Sequence, residues 1–459
     1  MAHGRPLRPS TVEASGRKHI PVAHLDSLAM TGGRESGGIA YWLRQRKASY
    51  IALRVGKLLR RYGLRATKAK QRTSRFVELL ARYECAPTLA TPGAVVAKHP
   101  AFMRELRDAG VELAIHGFDH VDFRSLSRDD ARSQFTRATA AYGDAGIPFK
   151  GFRCPYLSFS HDMDGIVPEG LLGYSSNDAI WWDVLQGGGA DRTVIFDSLV
   201  DFYRATPAAT SLVLPHTIDR LVEIPVSLPD DLQLLDGLGT GDAGVRDAWL
   251  ELLRQSHSRG SVFVVLFHPE SFDLCAGALE GLLAGARSLD PPVWIARLGD
   301  VADWWRELGS FSARVSRSTV EFDCSERASV LVRGPAMPPG TPWSGGYSVI
   351  DGRTLQLGEG SRPFVGVSAR TGFETVTTLR ELGYIVEHGD AASSCAVRLD
   401  DDALSRCANE VELVRLVESH PGPLARFWQW PAGAGSALCI TGDLDALSLL
   451  DYASRLFTL

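Results

Sequence analysis

The sequence predicts an α/β fold, a sheet or barrel built from alternating strands and helices, and three observations lead there. Strand-like apolar runs alternate with helix-like runs at βαβ spacing through the first two thirds of the chain. One of them, SVFVVLFHP, is a continuous apolar stretch of the kind buried on both faces of a parallel sheet. The composition, 45% hydrophobic and 22% charged, is that of an ordinary globular chain and excludes disordered, collagen-like and coiled-coil architectures. At 459 residues the chain has room for about three domains of about 150 residues each.

The elements follow in order. Residues 1–38 are polar and glycine-rich and read as a flexible arm. Helical periodicity runs from Tyr41 to Tyr83 with a break near Gly63, and Phe76, Leu79, Leu80 and Tyr83 fall at i, i+3, i+4 and i+7 on one face. A strand at PTLATPG, a helix at HPAFMRELRDAG closed by Gly110, a strand at VELAIHG, a helix from Ser127 through Gly143 and a strand at FKGFRCPY come next. Further strands are expected at LVEIPV and SVFVVLFHP, and a helix at Val301 to Leu308. Beyond Gly309 the texture changes. Short strand candidates (STVEFD, ASVLVRG, YSVID, PFVGVSA) separated by turn signals predict a β-rich or mixed insertion. Helix, strand and helix return at FETVTTLRELG, YIVEHG and EVELVRLVESH, and SALCITGDLDALSLLDYASRLF closes the chain as strand and helix.

The net charge of −5 argues against wholesale nucleic-acid binding. Between Glu35 and Glu78, however, lie about a dozen Lys and Arg and no acid, the mark of a solvated basic helix face or of an anionic partner. The seven cysteines are odd in number, scattered and never spaced as CxxC, so neither a disulfide framework nor a cysteine zinc site is expected. No run reaches the roughly eighteen apolar residues of a membrane span, and the first residues carry no apolar signal core, so a cytoplasmic chain is expected.

Chemistry concentrates at strand ends, the edge where α/β proteins assemble their sites. His116-Gly-Phe-Asp119-His120 ends the strand VELAI, and two imidazoles four residues apart can converge on one divalent cation. They need a third protein ligand. Arg153-Cys-Pro155-Tyr156 ends another strand and offers a rigid guanidinium fork for a carboxylate. Leu266-Phe-His268-Pro269 puts an imidazole at the tip of the buried strand. Singly, each motif is as well explained by local structure as by catalysis. In this order, HGFDH, RCPY and LFHP resemble the motifs of the polysaccharide deacetylase family, also called the NodB-homology or carbohydrate esterase 4 (CE4) family, over roughly residues 70 to 305.

The resemblance implies a distorted (β/α) barrel, a divalent metal held by one Asp and two His, and hydrolysis of an acetamide. The family's acidic first motif is missing before the helix at Arg72. At the other end of the chain, Thr441-Gly-Asp443-Leu-Asp445-Ala446 follows an apolar strand and looks like that motif in an Asp-x-Asp form, although alone it reads as a turn capping the next helix. The barrel is then circularly permuted: residues 39–312 form its main part, 313–430 an accessory α+β domain, and 431–459 the strand and helix that complete it.

By this resemblance Asp445, His116 and His120 bind the metal, most simply zinc with cobalt or nickel as alternatives. Asp443 is the base, Arg153 its partner, the Tyr156 backbone N–H an oxyanion donor and His268 the acid. The roles of Asp443 and Asp445 are exchangeable at this level. The acid that tunes His268 is one of Glu223, Asp230 and Asp231, with Asp230 favoured. Asp119 and Asp122 are expected to support the site without ligating, and Trp181 and Trp182 to pack in the core rather than stack on a sugar. The leading function is a metal-dependent hydrolase removing an N-acetyl group from an amino sugar or sugar-containing metabolite. Hydrolysis of a non-sugar amide and a catalytically silent metal- or carbohydrate-binding protein are the alternatives. An N-acetylated small molecule or glycan is the expected partner, nucleic acid is not, and self-association is left open.

Overall fold

A computed structural model describes residues 61–159, 165–167, 170–184, 201–218, 220–316, 318–335, 337–357 and 361–454. The expected arm at 1–38 and the helical stretch at 41–60 lie outside the described residues. Helix α1 (Thr67–Ala81) buries Ala69, Thr73, Phe76, Val77, Leu79 and Leu80 along one stripe, as its 3.6-residue pattern requires. The alternation then runs β1 (Thr88–Thr91), α2 (Gly93–Lys98), α3 (Pro100–Asp108), β2 (Glu112–Ile115), α4 (Arg128–Ala145), β3 (Gly151–Phe152), β4 (Tyr174–Ser175), β5 (Ala179–Trp181), β6 (Thr206–Pro207), β7 (His216–Ile218), β8 (Leu221–Glu223), β9 (Val226–Leu228), α5 (Asp242–Ser258), β10 (Val262–Phe267), α6 (Phe272–Arg287), β11 (Val293–Ile295) and α7 (Leu298–Gly309). Helix α4 shows how the sequence sets its own limits. The Ser127 hydroxyl accepts from the Asp130 N–H at the start, and Gly146 takes the left-handed conformation (φ 68°) at the end.

The accessory region supplies β12 (Ser312–Ser316), β13 (Thr319–Asp323), β14 (Val330–Arg333), β15 (Thr341–Pro342), β16 (Ser348–Val349), β17 (Thr354–Gln356), β18 (Arg362–Val367), α8 (Phe373–Glu381), β19 (Val386–His388), β20 (Cys395–Leu399), α9 (Asp401–Ser405), α10 (Glu410–Glu418) and β21 (Leu424–Phe427). They form two antiparallel sheets, β12-β13-β17 and β15-β16-β14-β21, and a parallel one, β19-β18-β20. A second core gathers Val365, Leu379, Val397 and Val417, while Val320, Phe322, Val332 and Phe427 pack into the main core, so the hydrophobic interior continues from one region into the other. No helix among the described residues is long and apolar enough to cross a membrane.

The chain closes with β22 (Ser436–Asp443) and α11 (Leu449–Ser454). The main sheet is twelve-stranded and curls in the order β6-β5-β9-β10-β22-β1-β2-β3-β4-β8-β7, with β11 added on β22. Its pairs are parallel except β7 with β8. The last strand of the chain therefore sits between β10 and β1, parallel to both. All eight of its residues are buried, which fits its apolar sequence and its central place.

Register carries the motifs to one edge. Phe267 pairs with Gly442, Ala90 with Asp443 and with Ala114, and Ile115 with Phe152. His268, Asp443, His116 and Arg153 thus all leave the sheet at its C-terminal rim. The curl closes through two bent connections, β4 to β5 and β8 to β9, which run alongside each other. At that bend the Glu223 carboxylate accepts the N–H groups of Asn177 (2.5 Å) and Asp178 (2.8 Å) and the Ser175 hydroxyl, so backbone donors released by the bend are satisfied.

Candidate metal and acid–base centre

The turn between the two histidines is fixed from below. Gly117 adopts φ 69°, a left-handed conformation suited to glycine, and the Gln134 side chain from α4 accepts the N–H groups of Phe118 and Asp119, both at 2.8 Å. His116 is fully buried, and its Nδ1 bonds the Arg153 carbonyl oxygen at 2.7 Å. That bond makes Nδ1 the protonated nitrogen and leaves Nε2 as a lone-pair donor. His116 Nε2 lies 3.4 Å from Asp445 Oδ1, and His120 Nε2 lies 3.4 Å from the same oxygen.

The ligand-capable atoms of His116, His120 and Asp445 all fall within 4.8 Å of one another, and His116 Nε2 has no hydrogen-bond partner among the described residues. Ligands of a tetrahedral zinc at its usual bond lengths stand about 3.3 Å apart. The donor set, two neutral imidazoles and a carboxylate, is the kind a catalytic zinc site uses. These residues fit a divalent metal.

Asp443, two residues before Asp445, is set differently. Its Oδ1 accepts from Arg153 Nη1 at 3.1 Å, and its Oδ2 lies 3.7 Å from His116 Nε2. Arg153, 2% exposed, is held on every side: Nη1 also donates to Thr441 Oγ1 (2.9 Å), Nη2 to Ser176 Oγ (3.0 Å) and Nε to the Ser176 carbonyl (3.3 Å). The same loop holds the RCPY segment, because Asn177 Oδ1 accepts the Cys154 N–H at 2.6 Å. After Pro155 the chain turns through two non-glycine residues at positive φ, Tyr156 (60°) and Leu157 (51°). Such a turn is strained and is retained where its surroundings over-determine it. The Tyr156 ring meets His120 edge-on at 4.7 Å.

Across the cleft, His268 Nδ1 bonds Asp231 Oδ1 at 2.7 Å, and the His268 N–H donates to Asp231 Oδ2 at 3.2 Å. Burial alone would lower the His268 pKa. The charge and hydrogen bond of Asp231 outweigh it and push the imidazole up to about 10. Asp230, favoured from the sequence for this partnership, does not take it. Its Oδ1 is turned to the Gln233 N–H (2.7 Å), and burial, together with the Asp231 charge, raises it to about 7. The physical reason is direction: consecutive residues at the end of β9 point apart, and only Asp231 reaches under His268. Glu223 closes the barrel instead, raised to about 7 chiefly by burial.

Asp119 pairs with Arg137 (2.9 Å), and Asp122 caps a short turn and holds Arg124 in a fork. Trp182 is fully buried in the main core, and Trp181 packs beside Leu157 and Leu228.

Residues 55–169, which include the HGFDH and RCPY segments, match the family model described as polysaccharide deacetylase. Among solved structures of this kind, a Mycobacterium smegmatis protein named for polysaccharide deacetylase activity is 23% identical over 56% of this chain and 82% of its own, with a TM-score of 0.43. A family 4 carbohydrate esterase from Streptomyces lividans, in complex with acetate, is 17% identical over 50% and 86%, with a TM-score of 0.27. A CE4 family pseudoenzyme from Bacillus anthracis is 14% identical over 51% and 62%, with a TM-score of 0.31. Sequence reasoning passed over Gln134, Ser176, Asn177 and Thr441, which hold the HGFDH and RCPY segments from neighbouring elements. It also passed over Arg61, Tyr62, Tyr203 and Tyr452, which line the cleft. Thr441 carried a legible signal, since it opens the Thr-x-Asp-x-Asp segment; the others lie in runs without a motif.

Proposed function

We propose that this chain is a metal-dependent N-deacetylase that removes the acetyl group from an acetylated amino sugar or sugar-containing metabolite. The observation that carries the reading is the convergence in one cleft of His116, His120 and Asp445 with the Arg153–Asp443 and Asp231–His268 pairs. Zinc is the metal that this donor set suits best, and Asp445, His116 and His120 would hold it. Bound there, the cation would polarise the acyl carbonyl and lower the pKa of a water molecule.

The protein's own groups do the rest. Asp443, oriented by Arg153, accepts a proton from the attacking water. The Tyr156 backbone N–H, aimed by its positive φ, donates to the oxygen on which negative charge develops. His268, protonated at neutral pH through Asp231, delivers a proton to the departing nitrogen, which would otherwise have to leave as an amide anion. We also read the chain as permuted: the strand bearing the family's aspartates comes last in sequence yet lies between β10 and β1, which supports that reading.

The test is acetate and free-amine release from N-acetylated amino sugars by the protein supplied with zinc, cobalt or nickel. Matching release that falls by about 10³-fold in Asp443→Asn is expected, since a positioned base is lost. Absence of release with every metal and every acetamide would overturn the reading in favour of a silent binding protein.

A further inference from the structure

The cleft above the metal-type cluster is a small chamber of about 90 Å³. Part of its wall is made by Arg61 and Tyr62, which precede α1, and by Tyr452 of α11. This wall is tied down from several directions. Arg61 donates from Nε (2.7 Å) to Glu270 Oε1, with Nη2 at 2.5 Å, and the Glu270 side chain is fully buried just after His268. Arg72 Nη1 bridges the carbonyls of Arg61 and Glu270, each at 2.9 Å. The Leu449 N–H donates to the Gly63 carbonyl at 2.9 Å, and the Tyr62 and Tyr452 rings meet at 5.4 Å.

Under this cover the reacting groups are recessed: Asp443, Asp445 and His268 are each 7–8% exposed. Tyr156 and Tyr203 line the same space, so four tyrosines surround it. Such a lining suits a single sugar ring or an amide of that size. An enzyme that deacetylates internal units of a polymer needs room on both sides of the reacting unit for the chain to pass. Here part of that room is taken by Arg61, Tyr62 and Tyr452, which are tied to one another and to Glu270.

Resting on the deacetylase reading, we infer that the substrate is one small acylated unit entering by its acyl end, a free N-acetyl amino sugar or a similarly small acetamide, and that Tyr62 and Tyr452 set this size limit.

The experiment compares N-acetylglucosamine with a long linear oligomer of the same unit, using the full-length zinc-supplied protein. Two readings are taken: kcat/KM from acetate release, and the dissociation constant by calorimetry on Asp443→Asn protein. The monomer is expected to exceed the oligomer by about 10-fold or more in both. Tyr62→Ala and Tyr452→Ala should narrow that gap, chiefly through a lower KM and tighter binding of the oligomer. Equal or better use of the oligomer, or a gap unchanged in both variants, would overturn the inference. If nothing is hydrolysed, the deacetylase reading fails, while the calorimetric comparison still decides the size limit: tighter binding of the oligomer rejects it and tighter binding of the monomer sustains it.

Discussion

At the scale of single residues, the centre is a set of ionisable groups whose neighbours push them to different states. His268 is buried, yet the Asp231 carboxylate holds it protonated, pushed up to about 10. The sign follows: if the protonated imidazole is the working form, activity is sustained through neutral pH and declines as pH rises through the folded pKa. The stability this pair contributes is full below the unfolded histidine range and is lost over the same rise. Asp231→Asn removes the charge and keeps the shape. It should lower kcat by about 10²-fold and move the alkaline limb of the pH–rate profile toward neutrality. An alkaline limb that stays in place would assign it to another group.

At the scale of elements, position is set by register. The aspartates reach the histidines because β22 pairs with β10 over six residues and with β1 over three. Gly442 permits this pairing: a Cβ there would stand 2.7 Å from the Phe267 carbonyl oxygen and 3.0 Å from a Leu89 methyl. Gly442→Ala should cost about 2 kcal/mol of stability by overpacking and displace the adjacent Asp443. Thermal unfolding should show the loss and metal titration a weakened site. A variant as stable and as tightly metal-bound as the wild type would mean that the strand tolerates a shift the close packing forbids. Downstream, Asp451 secures the segment after Asp445 by donating its backbone N–H to Ser448 Oγ and by pairing its carboxylate with Lys98 and His99.

At the scale of the whole molecule, the barrel joins segments from both ends of the sequence, and this decides what could be read in advance. The strands ending in HGFDH, RCPY and LFHP announced themselves by apolar runs terminating in functional residues, and TGDLDA by the acidic motif the others lacked. Their meeting is a matter of strand order, which local periodicity does not encode. The choice among Glu223, Asp230 and Asp231 was illegible for a related reason. Three acids within nine residues straddle a bend, and only the direction of each side chain sends Glu223 to the barrel closure, Asp230 to Gln233 and Asp231 to His268. The cleft wall of Arg61, Tyr62 and Tyr452 left no mark in the sequence, because aromatic residues flanking helices are most often core. The accessory region was visible as a change of texture at Gly309, but not the continuity of its core with the barrel.

On this reading Asp445, just past the C-terminal strand β22, would complete a metal site whose other ligands, His116 and His120, follow β2. Metal stoichiometry and affinity of the purified protein, measured on wild type, Asp443→Asn and Asp445→Ala, test it most directly. A single equivalent of zinc bound by wild type and by Asp443→Asn, and lost from a folded Asp445→Ala, is the predicted result. Unchanged stoichiometry and affinity in Asp445→Ala would contradict it.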